Sequence, residues 1–123
     1  MAKVIGWLLD DAERPELLRR FWLTYPDVDA HHVTLQAKAP ADVPLPTATA
    51  GEIVGEANDG RGIQAFIVRI GGTTDRPDGS TYHITWSLDQ GAGRKAVESN
   101  VVIAIQGWVG CDPLPVRLQP ARC

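Results

Sequence analysis

The spacing of hydrophobic residues in the first third of the chain predicts a strand, a helix and a second strand. The apolar run at residues 4–9 predicts a buried strand, which ends at the turn-forming acidic pair at residues 10–11. Apolar residues then recur at helical spacing between positions 17 and 22. This helix is expected to stop before Pro26, because the residue before a proline is pushed out of the α region. Polar and apolar residues alternate at residues 32–38, as in a strand with one face buried.

Strands dominate the remainder of the predicted structure. Residues 39–49 contain Pro40, Pro44 and Pro46 and predict an extended connector. An Asn-Asp-Gly turn at residues 58–60 separates two apolar-rich runs, as in a β-hairpin. We therefore expect a strand-rich α+β domain with one clear helix. In chain order, the predicted strands after the connector are residues 52–57, 63–70, 81–88, 100–108 and 116–119, the fourth nearly apolar throughout and the last at a sheet edge.

Length and composition are those of one globular domain. The 123 residues leave no room for two independent cores, so we assign residues 1–123 to a single domain. Hydrophobic residues make up 44% and charged residues 22%, which excludes disorder as an overall description. With 12 Lys+Arg against 15 Asp+Glu, the net charge of -3 argues against a duplex DNA or RNA partner, which requires a concentrated basic face. A small phosphate ligand needs only a few well-placed donors and is compatible with this charge.

The sequence predicts a cytoplasmic protein with no membrane anchor, no metal ion and no cofactor. No apolar run approaches the roughly 20 residues that span a bilayer, and the acidic pair at residues 10–11 comes too early for a signal peptide. The two cysteines, Cys111 and Cys123, indicate neither a disulfide framework nor a zinc site. His31 and His32 are adjacent in a predicted strand and are expected to face opposite sides, so they are poorly placed to share one metal ion.

A short motif occurs twice in the predicted strands. His32 and Thr34 flank an aliphatic residue, and so do His83 and Thr85. Since residues i and i+2 of a strand share a face, each histidine is expected to lie beside its own threonine, on the face opposite the core. The residues expected to point inward and hold this geometry are Val33, Leu35, Ile84 and Trp86.

Two histidines and two hydroxyls are sufficient to open a cyclic phosphodiester. A neutral imidazole can deprotonate the attacking water, and an imidazolium can protonate the departing ribose oxygen on the other side of phosphorus. The two hydroxyls can donate hydrogen bonds to the non-bridging oxygens, where negative charge gathers in the transition state. The pattern predicts His32 and His83 as the catalytic pair and Thr34 and Thr85 as substrate-binding groups. It leaves open which histidine is the acid and which is the base.

The same residues allow two interpretations without catalysis. The first is a module that binds a nucleotide or RNA end without turnover, and the second is a structural domain whose histidines merely lie beside strand-favouring threonines. Arg94 and Lys95 follow the second motif and could steer a phosphate or simply be solvated loop charges, and Arg117 has similar standing. His31→Ala is expected to be nearly neutral for activity if the ring of His31 faces away from the motif.

The paired motifs resemble those of the 2H phosphoesterase superfamily, which is defined by two His-x-Thr/Ser segments. The segments at residues 32–35 and 83–86 look most like the cyclic phosphodiesterase domain of fungal-type tRNA ligases. The Glu-Ser-Asn sequence at 98–100 and the strand pair within 52–70 also resemble that group. The chain is shorter than typical members, and its pattern does not reveal their second helical segment.

The resemblance implies a compact bilobal fold with antiparallel sheets around a central cleft, each lobe contributing one motif strand. It also implies metal-independent hydrolysis of the 2′,3′-cyclic phosphate of RNA ends or nucleotides, in the tRNA-ligase group to a 2′-phosphate. His32 and His83 would be general acid and base in this reaction. The implied partner is a cyclic-phosphate nucleotide or an RNA 3′ end, and the implied context is RNA processing and repair.

Overall fold

A computed structural model describes residues 3–122. Cys123, for which no disulfide or zinc role is expected, lies outside the described residues, as do residues 1–2. The elements in chain order are β1 (Lys3–Leu9), α1 (Arg14–Arg20), β2 (Asp27–Val28), β3 (His32–Ala39), β4 (Ala50–Asn58), β5 (Ile63–Arg69), β6 (His83–Leu88), α2 (Ser99–Gln106) and β7 (Val109–Arg122), with 3-10 turns at Gln90–Ala92 and Ala96–Glu98.

Six antiparallel strands close into a barrel. They follow the order β6, β3, β1, β7, β4 and β5, and β5 pairs with β6 to complete the circle. The short β2 pairs with the end of β6. The prediction of an edge strand at the C-terminal end is wrong, because β7 lies between β1 and β4. Closure removes the unpaired sheet edges that an open sheet of this size would expose.

Residues 3–122 contain two α-helices, and the predicted strand at residues 100–108 is wrong. This segment forms α2, which is followed by Gly107 with a positive φ of 74°. Its buried residues, Ser99, Val102 and Ile103, are spaced as one helical face, but exposed apolar residues between them hide that period in the sequence. The first helix is also shorter than predicted, since it ends at Arg20 and Trp22 is 85% exposed.

The hydrophobic core has two parts. The barrel interior contains Val33, Ile84 and Trp86, each fully buried, so the predicted inward face of both motif strands is confirmed. A second cluster lies between the barrel wall and α2, with Ile67 and Val102 among its members. Because the two parts of the core cover both faces of β5 and β6, almost every residue of these strands is buried. The second cluster also holds α2 beside the second motif.

None of the helices among residues 3–122 has the length and apolar character needed to cross a membrane.

Candidate functional site

The two His-x-Thr motifs line a single pocket of about 330 Å³ on the outer face of the barrel. All four polar side chains, those of His32, Thr34, His83 and Thr85, contribute to its wall. The opposite wall comes from α2, the turn before it and the loop between β5 and β6. The further lining residues are Val4, Asp29, Ala37, Arg76, Asp78, Ala96, Val97 and Asn100.

Strand pairing brings the motifs together. Val33 of β3 pairs with Ile84 of β6 in antiparallel orientation. Because the strands run in opposite directions, His83 lies on the Thr34 side of this pair and Thr85 on the His32 side. The central pair is buried in the barrel, so the flanking residues of both motifs face outward into the same space.

His83 is the more deeply buried histidine, at 9% exposure. Its Nδ1 lies 2.8 Å from the carbonyl oxygen of Thr81. A carbonyl oxygen only accepts, so Nδ1 donates the proton and Nε2 is the nitrogen left for chemistry. Burial lowers the pKa of His83 below its usual value, and the positive charges of Arg76 and His32 act in the same direction, while the bond to Thr81 opposes them. The neutral ring with a lone pair on Nε2 is therefore favoured near pH 7.

His32 is only half-buried, and its Nδ1 lies 3.0 Å from Nδ1 of His31. Burial lowers the pKa of His32, and the charge of His31 lowers it further, whereas Asp29 raises it. The carboxyl of Asp29 also lines the pocket, and burial raises its pKa. His32 thus has a carboxylate and a second imidazole as neighbours, where His83 has a backbone carbonyl.

The prediction that His31 faces away from His32 is wrong, because the chain is irregular at this point. The backbone N–H of Ala30 donates to the carbonyl of Thr85, yet Val33 pairs with Ile84. Two extra residues, His31 and His32, therefore bulge out between consecutive positions of β6, and Ala30 adopts a left-handed φ of 48°. Strand alternation does not apply across such a bulge, and bulges of this kind often re-aim side chains at functional sites.

The two threonines differ in what their hydroxyls contact. Thr85 Oγ1 lies 2.8 Å from Ser99 Oγ and 3.2 Å from the carbonyl oxygen of Ala96, so its hydroxyl links β6 to the start of α2. Ser99 is fully buried. Thr34 Oγ1 has no hydrogen-bond partner among residues 3–122 and faces the pocket. Only Thr34 therefore has a hydroxyl available to a ligand without breaking a protein bond.

Arg76 is a site residue that the sequence analysis missed. It is 8% exposed and lines the pocket. Its Nε donates to Ser80 Oγ at 2.6 Å and forms an ion pair with Asp78 Oδ1 at 3.3 Å, Nη1 donates to the carbonyl of Thr34 at 3.3 Å, and Nη2 donates to Asn100 Oδ1 at 2.7 Å. An arginine has five N–H donors, so one N–H on each terminal nitrogen is left without a partner among residues 3–122. A buried cation with donors available in a pocket is suited to a phosphate.

The position of Arg76 follows from a tight turn that the sequence does contain. Arg76 precedes Pro77, Asp78 and Gly79, which is a turn sequence. The backbone N–H of Gly79 donates to the carbonyl of Arg76, and that of Arg76 donates to the carbonyl of Ser80. The turn lies directly before β6, so it carries the guanidinium to the second motif. The sequence feature that could have identified Arg76 as a site residue is a cation beside a Pro-Asp-Gly turn shortly before a motif strand.

The other cations that the sequence singled out are not in the pocket lining. Arg94 pairs with Asp59 at 2.8 Å and Glu98 at 2.9 Å, so it ties the β4–β5 turn to the segment before α2. Lys95 is exposed and Arg117 contacts Glu13 on another surface. Of the positive side chains considered, Arg76 is the one that faces both motifs.

Within residues 3–122, no three side chains of the metal-ligating types His, Cys, Asp and Glu are grouped so as to hold a metal ion. Cys111 is exposed and unbonded on β7. Comparison of the chain with protein-family models, with curated proteins and with solved structures gives no match. The functional interpretation therefore depends on the geometry of the pocket.

Proposed function

We propose that the pocket hydrolyses 2′,3′-cyclic phosphates of RNA ends or nucleotides without a metal ion, with His83 as general base and His32 as general acid. The observation that carries this proposal is that both His-x-Thr motifs and the buried guanidinium of Arg76 line one pocket. A phosphate in that pocket would share it with both imidazoles and the guanidinium.

The environment of His83 suits a general base. Its Nδ1 is bound to Thr81 and its lowered pKa favours the neutral ring, so Nε2 can accept a proton from the attacking water. We assign the acid to His32: burial lowers its pKa and so does the charge of His31, but the carboxylate of Asp29 opposes that shift and a bound phosphate anion would oppose it further.

The reaction is a single in-line displacement. The water oxygen bonds to phosphorus while its proton passes to Nε2 of His83. The bond from phosphorus to one ribose oxygen breaks, and His32 protonates that oxygen as it leaves. Departure of the 3′ oxygen leaves a 2′-phosphate, the product that the resemblance to the tRNA-ligase domain implies.

Arg76 and Thr34 would stabilise the charge that develops on the non-bridging oxygens. The free N–H groups of Arg76 and the free hydroxyl of Thr34 are the available donors, and a donor already in place there stabilises the transition state. Thr85 has a different part in this proposal, since its hydroxyl is used by Ser99 and Ala96. It would hold α2 and the turn before it against β6.

The resemblance to 2H phosphoesterases extends this proposal to the whole fold. The β1–β3–β7 side and the β4–β5–β6 side of the barrel would be the two lobes, each with one motif strand, and α2 would be the second helical segment. We further propose a cytoplasmic role in RNA processing or repair, with a cyclic-phosphate nucleotide or an RNA 3′ end as partner.

One observation favours binding without turnover as the second candidate. The available donors of Arg76 would bind a phosphate whatever the protonation state of the histidines, and burial lowers the pKa of both rings. A module that captures RNA 3′ ends would need no imidazolium at neutral pH.

The test is incubation of the protein with adenosine 2′,3′-cyclic phosphate, and separately with an oligonucleotide ending in a cyclic phosphate, both in EDTA. Phosphorus NMR would follow the product. We expect a 2′-phosphate from wild type and from Arg19→Ala, whose side chain lies exposed on α1, and formation of that product slowed by about 10²-fold or more in His83→Ala. Binding of both substrates without product would support the second candidate, and neither binding nor product would overturn both.

A further inference from the structure

The contact between the rings of His31 and His32 has no part in a mechanism in which His32 alone is the general acid. The two Nδ1 atoms lie 3.0 Å apart, and a hydrogen bond at that distance requires that one nitrogen carries a proton and the other a lone pair. The ring planes lie at 82° to each other with centroids 5.2 Å apart, so the rings do not stack. His31 is exposed to solvent, whereas His32 reaches into the pocket.

We propose that His31 and His32 form a two-ring acid that shares one Nδ1 proton, with His31 as the positioning residue and proton relay for His32. The inference rests on the proposed function, since it specifies how the acid of that reaction is supplied.

Counting protons shows why the arrangement is useful. A pair with one net positive charge carries three N–H protons, one of them between the two Nδ1 atoms. Both Nε2 atoms are then protonated, whichever ring holds the shared proton. His32 therefore presents an Nε2–H to the pocket even when the charge resides on His31. The charge can lie on the solvated ring, so the burial that disfavours an imidazolium at His32 is partly avoided.

The acid step balances within the pair. His32 gives its Nε2 proton to the leaving ribose oxygen, and the shared proton comes to rest on Nδ1 of His32. His31 keeps its Nε2–H and becomes neutral, with a lone pair on Nδ1 that accepts from His32. The pair has then lost one proton and one charge, and its one free lone pair is on Nε2 of His32, which solvent reprotonates after the product has left the pocket.

The surrounding charges fit a pair that holds one proton. Asp29 lies beside both rings and favours a positive charge on them, although burial raises its own pKa. Arg14 donates from Nε to the carbonyl of Ala30 at 2.8 Å and from Nη2 to that of Asp29 at 3.1 Å, which fixes the bulge from α1. The other titratable or charged groups that line the pocket are His83, Arg76 and Asp78, and the charge of His32 lowers the pKa of His83.

Nitrogen-15 NMR of the imidazoles as a function of pH tests the pair without any substrate. We expect a scalar coupling between the two Nδ1 nitrogens, because the shared proton lies between them. In His31→Asn, whose amide can still contact Nδ1 of His32 but cannot carry the shared charge, the pKa of His32 should fall below its wild-type value, because the charge must then reside on the more buried ring. Absence of that coupling, with the pKa of His32 unchanged in His31→Asn, would overturn the proposal whether or not the protein is an enzyme.

The pH profile of kcat/KM tests the relay itself. His31→Ala should lower the maximal rate about tenfold or more through loss of orientation, and the alkaline limb, which reports the acid, should move to lower pH. His31→Asn should recover most of the maximal rate but not the position of that limb. A purely structural role predicts an unmoved limb in both variants, which would contradict the relay. Absence of activity in wild type would instead remove the reaction, leaving the NMR result to decide on the shared proton.

Discussion

The first His-x-Thr motif, on β3, lies at a bulge, and its strand is only partly buried. The second motif lies on β6, and every residue of that strand is buried. His32 is half-buried and contacts another imidazole, while His83 is buried and donates to a backbone carbonyl. The Thr34 hydroxyl is available, and the Thr85 hydroxyl is bound to Ser99. Two motifs with the same His-x-Thr pattern therefore differ in burial and in hydrogen bonding.

This difference shows how one short motif can provide two chemical roles. A fixed tautomer in a dry environment suits a base that must stay neutral. Under the proposal, a ring that can share its positive charge with a more solvated neighbour suits an acid. Each substitution below removes one difference between the two motifs, and its effect on activity or stability measures the importance of that difference.

The largest expected effect is the loss of either motif histidine. His32→Ala and His83→Ala should each reduce kcat for cyclic-phosphate opening by about 10²–10⁴-fold, because each moves a proton on one side of phosphorus. Steady-state rates in EDTA measure this, with Arg19→Ala as the matched surface control. A variant that lost less than about tenfold would show that its histidine is not an acid or base of the reaction.

Substitution of Arg76 should have the next largest effect, since Arg76 lines the pocket together with both motifs. Arg76→Lys keeps the charge but loses the fork that spans Thr34 and Asn100. We expect kcat/KM to fall by about 10²-fold, the scale of a lost oxyanion donor. Binding of adenosine 2′-monophosphate, measured by calorimetry, should weaken in parallel. Unchanged affinity in a variant that melts like wild type would exclude Arg76 from the phosphate site.

The threonines should separate activity from stability. Thr34→Val removes an available donor and should slow turnover by about tenfold, with an unchanged melting temperature. Thr85→Val leaves the buried Ser99 hydroxyl without that partner and should cost about 1–3 kcal/mol of unfolding free energy. Urea denaturation and steady-state kinetics on both variants measure the contrast. Equal effects of the two substitutions on stability would contradict the different hydrogen bonding of their hydroxyls.

The smallest effect is on the pH dependence of stability. Burial lowers the folded-state pKa of both His32 and His83, so below about pH 6.5 the unfolded chain binds more protons than the native one. Stability should therefore fall as the pH drops from 7.5 to 5.5, which urea midpoints would show. His83→Gln should flatten this dependence. A steeper loss in that variant than in wild type would contradict the direction of the shift at His83.

Strand periodicity was sufficient to predict the inward and outward faces of both motifs. It identified Val33, Ile84 and Trp86 as core, because neighbouring residues within each motif alternate between the barrel interior and the pocket. It failed at His31, because a bulge and the left-handed Ala30 interrupt the alternation immediately before β3. Periodicity describes regular backbone and gives no information across such an interruption.

The remaining errors come from long-range contacts that local patterns do not contain. The helix α2 looked like a strand because Val101 and Ile105 are apolar yet exposed. The strand β7 looked like an edge because only barrel closure supplies its second neighbour. The sequence analysis did not single out Arg76, since Asn100 and the Thr34 carbonyl become its partners only in the folded barrel.

The most direct test of the account is the pH–rate profile of metal-free cyclic-phosphate hydrolysis for wild type, His83→Ala and His32→Ala. The account predicts a bell for wild type. The residual rate of His83→Ala should lack the acid limb, which reports the base, and that of His32→Ala should lack the alkaline limb, which reports the acid. Loss of the opposite limbs would reverse the two roles, and absence of any turnover by wild type in EDTA would contradict the proposed function itself.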